Sequence, residues 1–313
     1  MSTSLKNRLI SFMLISVMIL VCGCASGETA EEQPVEETVV VETPVETKTE
    51  HERIAILFTG NIMGNAKTED DFKPLKDRAE ELKKNNTLVD TVDCGNHVSE
   101  EGSETVEEAV KTLKAMASAG YSHVVLNEHE FDFGIDGIRK MLGVEGLANM
   151  SCNFRYSGFG DDITLEVLRS DVVEIGSVKI GYIAISDINT QKSHKEDFIE
   201  DGRTAYSFCG RSFSYLSDTV QASVDICRSN GADYVIVLSG FLSNDIGNLS
   251  SIIMQTAYVD AFLCTNPSLE ESTSTVIYDR QNREITLGVT KGGIESLGEL
   301  VIEPDGQIHV SFT

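Results

Sequence analysis

The sequence predicts an α/β protein, a sandwich of two packed sheets flanked by helices in a single domain. That expectation rests on three features. From Glu52 onward short apolar, β-branched runs alternate with amphipathic helical stretches; adjacent β runs gather late in the chain; and 41% hydrophobic content over 313 residues supplies a sizeable core.

In chain order, Ile54–Thr59 is an apolar run bounded by charge on one side and Gly60 on the other, and reads as a strand. A helix is expected over 70–85 and a second strand over 87–93. Residues 105–119 carry Val106, Val110, Leu113 and Met116 on one helical face, and 123–126 is again apolar and β-branched. This βαβαβ start is followed by a short helix over 134–142 and a strand over 147–152. Further β runs are expected at 163–168 and 171–185, a helix at 213–229, strands at 233–239 and 259–264, and three C-terminal β runs ending at Val310. No internal repeat is visible.

Residues 1–24 read as a lipoprotein signal peptide. Lys6 and Arg8 form a positive start, Leu9 to Val21 is an apolar run too short for a typical spanning helix, and small residues follow. The segment Val21-Cys22-Gly23-Cys24-Ala25-Ser26 resembles a bacterial lipobox with Cys24 as the lipidated residue. Several acyl chains on Cys24 give stable anchoring where one is marginal, so the expectation is an exported protein, lipid-anchored on an extracytoplasmic membrane face. Residues 25–51 read as an acidic, disordered tether. Eight Glu against one Lys, with two Pro, cannot bury enough apolar area to offset chain entropy. The remaining domain is 52–313.

The formal net charge of −25 excludes a nucleic-acid partner, which needs a basic footprint. Beyond the leader, Cys94, Cys152, Cys209, Cys227 and Cys264 are scattered without CxxC spacing, against a zinc knuckle or a disulfide framework, though a single pair stays open.

In open α/β architecture, sites gather on loops beyond the carboxyl ends of strands. Those loops are 59–65, 93–98, 127–133, 239–245 and 264–268. The run Asn127-Glu128-His129-Glu130-Phe131-Asp132-Phe133-Gly134, with Cys152-Asn153-Phe154 some way on and the ending at 297–308, resembles the calcineurin-like metallophosphoesterases, in particular the N-terminal catalytic domain of the 5'-nucleotidase family. That resemblance implies a two-metal site built from Asp-x-His after the first strand, Gly-Asp after the second, Gly-Asn-His-Glu after the third, and later a His and a Gly-His-x-His. Carried onto this chain, Asp-x-His falls on Asn61-Ile62-Met63. The Asp of Gly-Asp falls on Asn96, the Asn of Asn-His-Glu on Glu128, the single His on Gly240, and the paired His on Asn266 and Ser268. All seven ligand positions are changed. His129 and Asp132 remain, and the resemblance implies for them a dyad that polarises a scissile phosphate.

The residues leave alternatives open. Asp132 suits a helix cap near Phe133 as well as a partner for His129. His97 reads first as an exposed loop histidine and second as a substitute ligand. Nucleoside recognition, which in two-domain 5'-nucleotidases falls to a C-terminal domain, is not expected in its usual place. The leading expectation is a surface-tethered pseudoenzyme that needs no cofactor and binds a small ligand or an envelope protein, touching the membrane through its anchor only. The alternatives are a hydrolase with a single divalent metal at Glu128, His129 and His97, with Asp93 nearby, and a solute-capturing lipoprotein feeding a transporter.

Overall fold

In a computed structural model, which describes residues 51–156, 166–200, 202–204, 206–209, 213–240 and 246–313, the β runs assemble into two six-stranded sheets. The expected leader, residues 25–50 of the tether and residues 163–165 of the β run at 163–168 lie outside the described residues.

The first half supplies β1 (Ile54–Thr59), α1 (Lys73–Lys84), β2 (Leu88–Asp93), α2 (Val106–Ala119), β3 (His123–Val125), α3 (Gly134–Leu142) and β4 (Ala148–Met150), with a 3-10 turn at His129–Phe133. Strands β1 to β4 run parallel. β15 (Gly298–Ile302) pairs antiparallel with β1, and β16 (Ile308–Phe312) closes that edge, giving the order β16-β15-β1-β2-β3-β4.

The second sheet is entered through β5 (Phe154–Tyr156), β6 (Ser170–Ile175) and β7 (Val178–Ile185). Then come α4 (Thr190–Ser193), β8 (Ile199–Glu200), β9 (Arg203–Thr204), β10 (Tyr206–Phe208), α5 (Phe213–Ser229), β11 (Tyr234–Ser239), α6 (Ile246–Gln255), β12 (Ala261–Thr265), β13 (Thr273–Tyr278) and β14 (Glu284–Thr290). Its order is β13-β14-β12-β11-β7-β6, with β7, β11, β12 and β14 parallel and the two edge strands antiparallel.

Alternation along each central strand assigns the layers. Ile54, Ile56 and Phe58 of β1 meet Tyr234, Ile236 and Leu238 of β11 in the core between the sheets. Ala55 and Leu57 face the other way, under Leu75 of α1 and Leu113 and Met116 of α2. Val235 and Val237 lie under Leu216, Val220 and Val224 of α5. Strands buried on both faces read as continuous apolar runs, which is why these were legible.

Several elements differ from expectation. The run 171–185 is an antiparallel hairpin, because Gly176 takes φ 62° and turns the chain between β6 and β7. Four C-terminal strands follow β12 rather than three, and the last ends at Phe312. Helix α6 and the β5–β10 pair were not expected. Helix α2 begins one residue inside its expected start, with Thr105 as N-cap accepting from the Glu108 N–H at 3.3 Å and Gly120 ending it at φ 100°. Among the described residues no helix is long and apolar enough to cross a membrane.

Candidate functional site

The predicted site positions lie on loops past the carboxyl ends of the parallel strands of both sheets. The loops after β1 and β2 are zipped together by their backbones: the N–H groups of Asn61, Met63 and Gly64 donate to the carbonyls of Gly95, Asn96 and His97 at 2.8, 2.9 and 2.9 Å. Three of the positions that the resemblance marks as ligands adopt left-handed backbone, Asn61 at φ 54°, Met63 at φ 56° and Asn96 at φ 55°. Asn tolerates this region; Met does so at a strain cost, and such strain persists only where the surroundings fix it.

Asn96 is buried at the centre of the loops. Its Oδ1 accepts from the His129 N–H at 3.2 Å and from Asn127 Nδ2 at 3.1 Å, which fixes the orientation of the amide. Its Nδ2 is buried with no hydrogen-bond partner. Asn127 is equally buried. Its Nδ2 also donates to the carbonyl of Gly240, its Oδ1 accepts from the Asp187 N–H at 2.8 Å, and its backbone N–H donates to Glu130 Oε2 at 2.8 Å. Glu130 organises the loops in turn, taking the N–H of Asn96 at 3.2 Å and of Val98 at 3.3 Å.

His97 corrects an expectation. It is not an exposed loop histidine: it is 1% exposed, with Nδ1 3.3 Å from Asp93 Oδ1 and 3.4 Å from Glu130 Oε1. Those contacts are off the line of a hydrogen bond, so attraction between charges carries them. Burial alone lowers the pKa of the imidazole, but Glu130 and Asp93 outweigh it and hold the pKa above its ordinary value. Asp93 is itself held by the Gly95 N–H at 2.8 Å and the Thr59 hydroxyl at 2.7 Å, and that hydroxyl lies 2.8 Å from the Tyr121 hydroxyl.

Asp132 corrects another. Helix α3 carries Phe133 at its N-cap with no side-chain cap, and Asp132 is turned instead toward the 3-10 loop. Its Oδ2 accepts from His129 Nδ1 at 3.0 Å and from the Glu100 N–H at 3.1 Å. This hydrogen bond raises the His129 pKa above its ordinary value against the lowering effect of burial. His194, not among the expected site residues, brings Nε2 to 3.5 Å from Asp132 Oδ1. It arrives from beyond α4, far along the chain, and only the fold places it there.

The remaining positions are spread around this centre. Asn61, Met63 and Glu128 are partly exposed, and Ser268 is exposed. Asn266 is buried and spends its Oδ1 on the Ser268 N–H at 2.8 Å, closing its own turn. Gly240 is buried, its N–H donating to the Ile185 carbonyl at 2.9 Å. Among the described residues no three His, Cys, Asp or Glu side chains gather into a group that could hold a metal ion.

No protein-family model matches this sequence, and no curated protein matches it. Solved structures do. A 5'-nucleotidase precursor from Thermus thermophilus superposes with a TM-score of 0.66 at 14% identity, over 83% of this chain and 53% of that one. The NAD nucleotidase of Haemophilus influenzae gives 0.62 at 14% identity, over 83% and 49%. The calcineurin-like phosphoesterase YfkN from Bacillus subtilis gives 0.56 at 16% identity, over 83% and 89%. The chain thus spans about half the length of the two nucleotidases it matches. At these identities the likeness is one of fold: two mixed sheets flanked by helices, arranged as in the metallophosphoesterase domains of 5'-nucleotidases.

Proposed function

We propose that this phosphoesterase-fold domain is a non-catalytic binding module, carried by a lipoprotein anchored through Cys24 on an extracytoplasmic membrane face. The observation that carries the reading is the donor set at the site. Two divalent ions about 3.5 Å apart repel by roughly 19 kcal/mol at an effective dielectric of ~20, so a dinuclear site needs a bridging carboxylate with further anionic or imidazole ligands. Asn96 stands at the bridging position and is neutral. Met63 offers a soft thioether unsuited to an oxygen and nitrogen site, Gly240 offers no side chain, and the Asn266 oxygen is already used. Glu128 alone restores a carboxylate. The nearby carboxylates Asp93 and Glu130 are engaged by backbone N–H groups and His97. The residues present do not fit a metal pair.

What the centre does offer is a donor. Asn96 Nδ2 is held in place by its own Oδ1 and has no hydrogen-bond partner, but it is fully buried, so a ligand's oxygen acceptor reaches it only where the loops over it move aside. The ligand is a small molecule, or a group on an envelope protein, able to reach the surface formed by Asn61, Glu128 and the partly exposed His129.

One observation favours a second reading, a phosphoester hydrolase reworked around Glu128 and His129 with a single divalent metal: the His129–Asp132 pair has the geometry of an oriented acid/base. Hydrolysis of nucleoside monophosphates and simple phosphodiesters by wild type and His129→Ala, with Mg, Mn, Zn and Ca in turn, separates the two. The binding-module reading expects equal background in both proteins. Turnover by wild type that His129→Ala abolishes would replace it with the hydrolase.

A further inference from the structure

Gly240 is a glycine for want of room. Its φ does not lie in the left-handed region, so the backbone places no demand for glycine there. The side chain of Asn127 does. A Cβ at position 240 would sit 2.6 Å from Asn127 Oδ1 and 2.7 Å from Asn127 Cβ, and nearer still to Cγ. The Asn127 amide is immobilised in that space by Asn96 Oδ1, the Gly240 carbonyl and the Asp187 N–H.

We propose that Asn127 and Gly240 are a size-exchanged pair, in which the buried Asn127 amide cross-links the loops of the two sheets and excludes any side chain, a metal-binding histidine included, from position 240. Asn127 follows β3. It reaches Asn96 after β2 in its own sheet, and Asp187 after β7 and Gly240 after β11 in the other. A metal pair shared by these loops would make the same connection with ligands from both sheets; here one neutral side chain makes it with three hydrogen bonds. The motif that the chain resembles has the opposite sizes, Gly at 127 and His at 240. The inference rests on the reading above only for that contrast, since the hydrogen bonds and the missing space are independent of what the site binds.

The consequence is energetic coupling between two positions 113 residues apart. A double-mutant cycle on the purified protein's unfolding in urea measures it, using Asn127→Gly, Gly240→Ala and the double variant, with Gly240→Ser and its Asn127→Gly partner as a second cycle. Each single variant is expected to unfold more readily than wild type, Asn127→Gly because three buried partners lose their hydrogen bonds and Gly240→Ala because the Asn127 side chain is pushed out. In the double variant position 127 carries no side chain, so the methyl added at 240 meets neither the amide nor the Asn127 Cβ. Its unfolding constant should therefore fall at least tenfold below the value expected if the two effects were independent. Independent effects in both cycles, or Gly240→Ala with unchanged stability, would overturn the proposal. Phosphoester turnover by the wild type would refute the binding-module reading while leaving this coupling untouched.

Discussion

Buried between Asp93 and Glu130, His97 sets one cationic partner between two carboxylates beneath the site. Its pKa is raised in the folded protein, so it contributes stability that is fully present below the unfolded value of about 6.5 and is lost as pH rises through the folded value. Urea unfolding of wild type should therefore show declining stability as pH climbs above ~6.5, and His97→Gln should flatten that part of the profile. His97→Ala, which leaves two buried carboxylates without their cation, should cost about 3–5 kcal/mol at about pH 6. A His97→Ala variant as stable as wild type would show that the ion group contributes nothing. None of this was legible in the sequence, where Gly95-Asn96-His97 is a loop without periodicity and nothing separates a buried histidine from an exposed one. The same holds for Asn127, whose weight comes from partners after β7 and β11, and for His194, brought to Asp132 by a long connection. His129 and Asp132 were readable because they lie three residues apart in one short turn.

Elements were more legible than residues, for a physical reason. β1 and the helices at 134–142 and 213–229 appear with the bounds expected, since long apolar or amphipathic periodicity marks them. The hairpin of β6 and β7 was hidden because its turn is only Gly176 and Ser177 between two β-branched runs. Helix α6 was missed because Gly247, Asn248 and two serines break up the apolar run in its sequence. Cap chemistry gives a test at this scale: Thr105→Ala removes the oxygen that accepts from Glu108 N–H and should destabilise the domain by about 1 kcal/mol. In a domain of this size that is roughly 2 °C in Tm by calorimetry, and no shift would mean that the hydrogen bond of the cap carries no stability.

At the scale of the whole molecule, the alternation of strands and helices followed by clustered β runs was enough to expect two stacked sheets with helices outside, and the solved nucleotidases and phosphoesterases share that arrangement. The order of the strands was not readable, because pairings such as β1 with β15 join residues about 250 apart that no local pattern links. The anchoring proposal belongs here too. Cys24→Ala should move the full-length protein from the membrane fraction to the soluble one on cell fractionation, through loss of acyl burial, and unchanged partitioning would sink it.

On the binding-module reading, this fold stands without the metals its architecture suggests, held at the site by Asn127, Glu130 and the His97 ion group instead. A bound ion stabilises the folded state by mass action, by about 2.7 kcal/mol at a roughly hundredfold excess over its dissociation constant, so its removal is visible in a melting curve. The most direct measurement is the Tm of the purified protein before and after exhaustive chelation, with metal content determined on the same sample. The predicted result is an unchanged Tm and far less than one divalent ion per chain; a drop of several degrees on chelation, with one or two ions per chain beforehand, would contradict it.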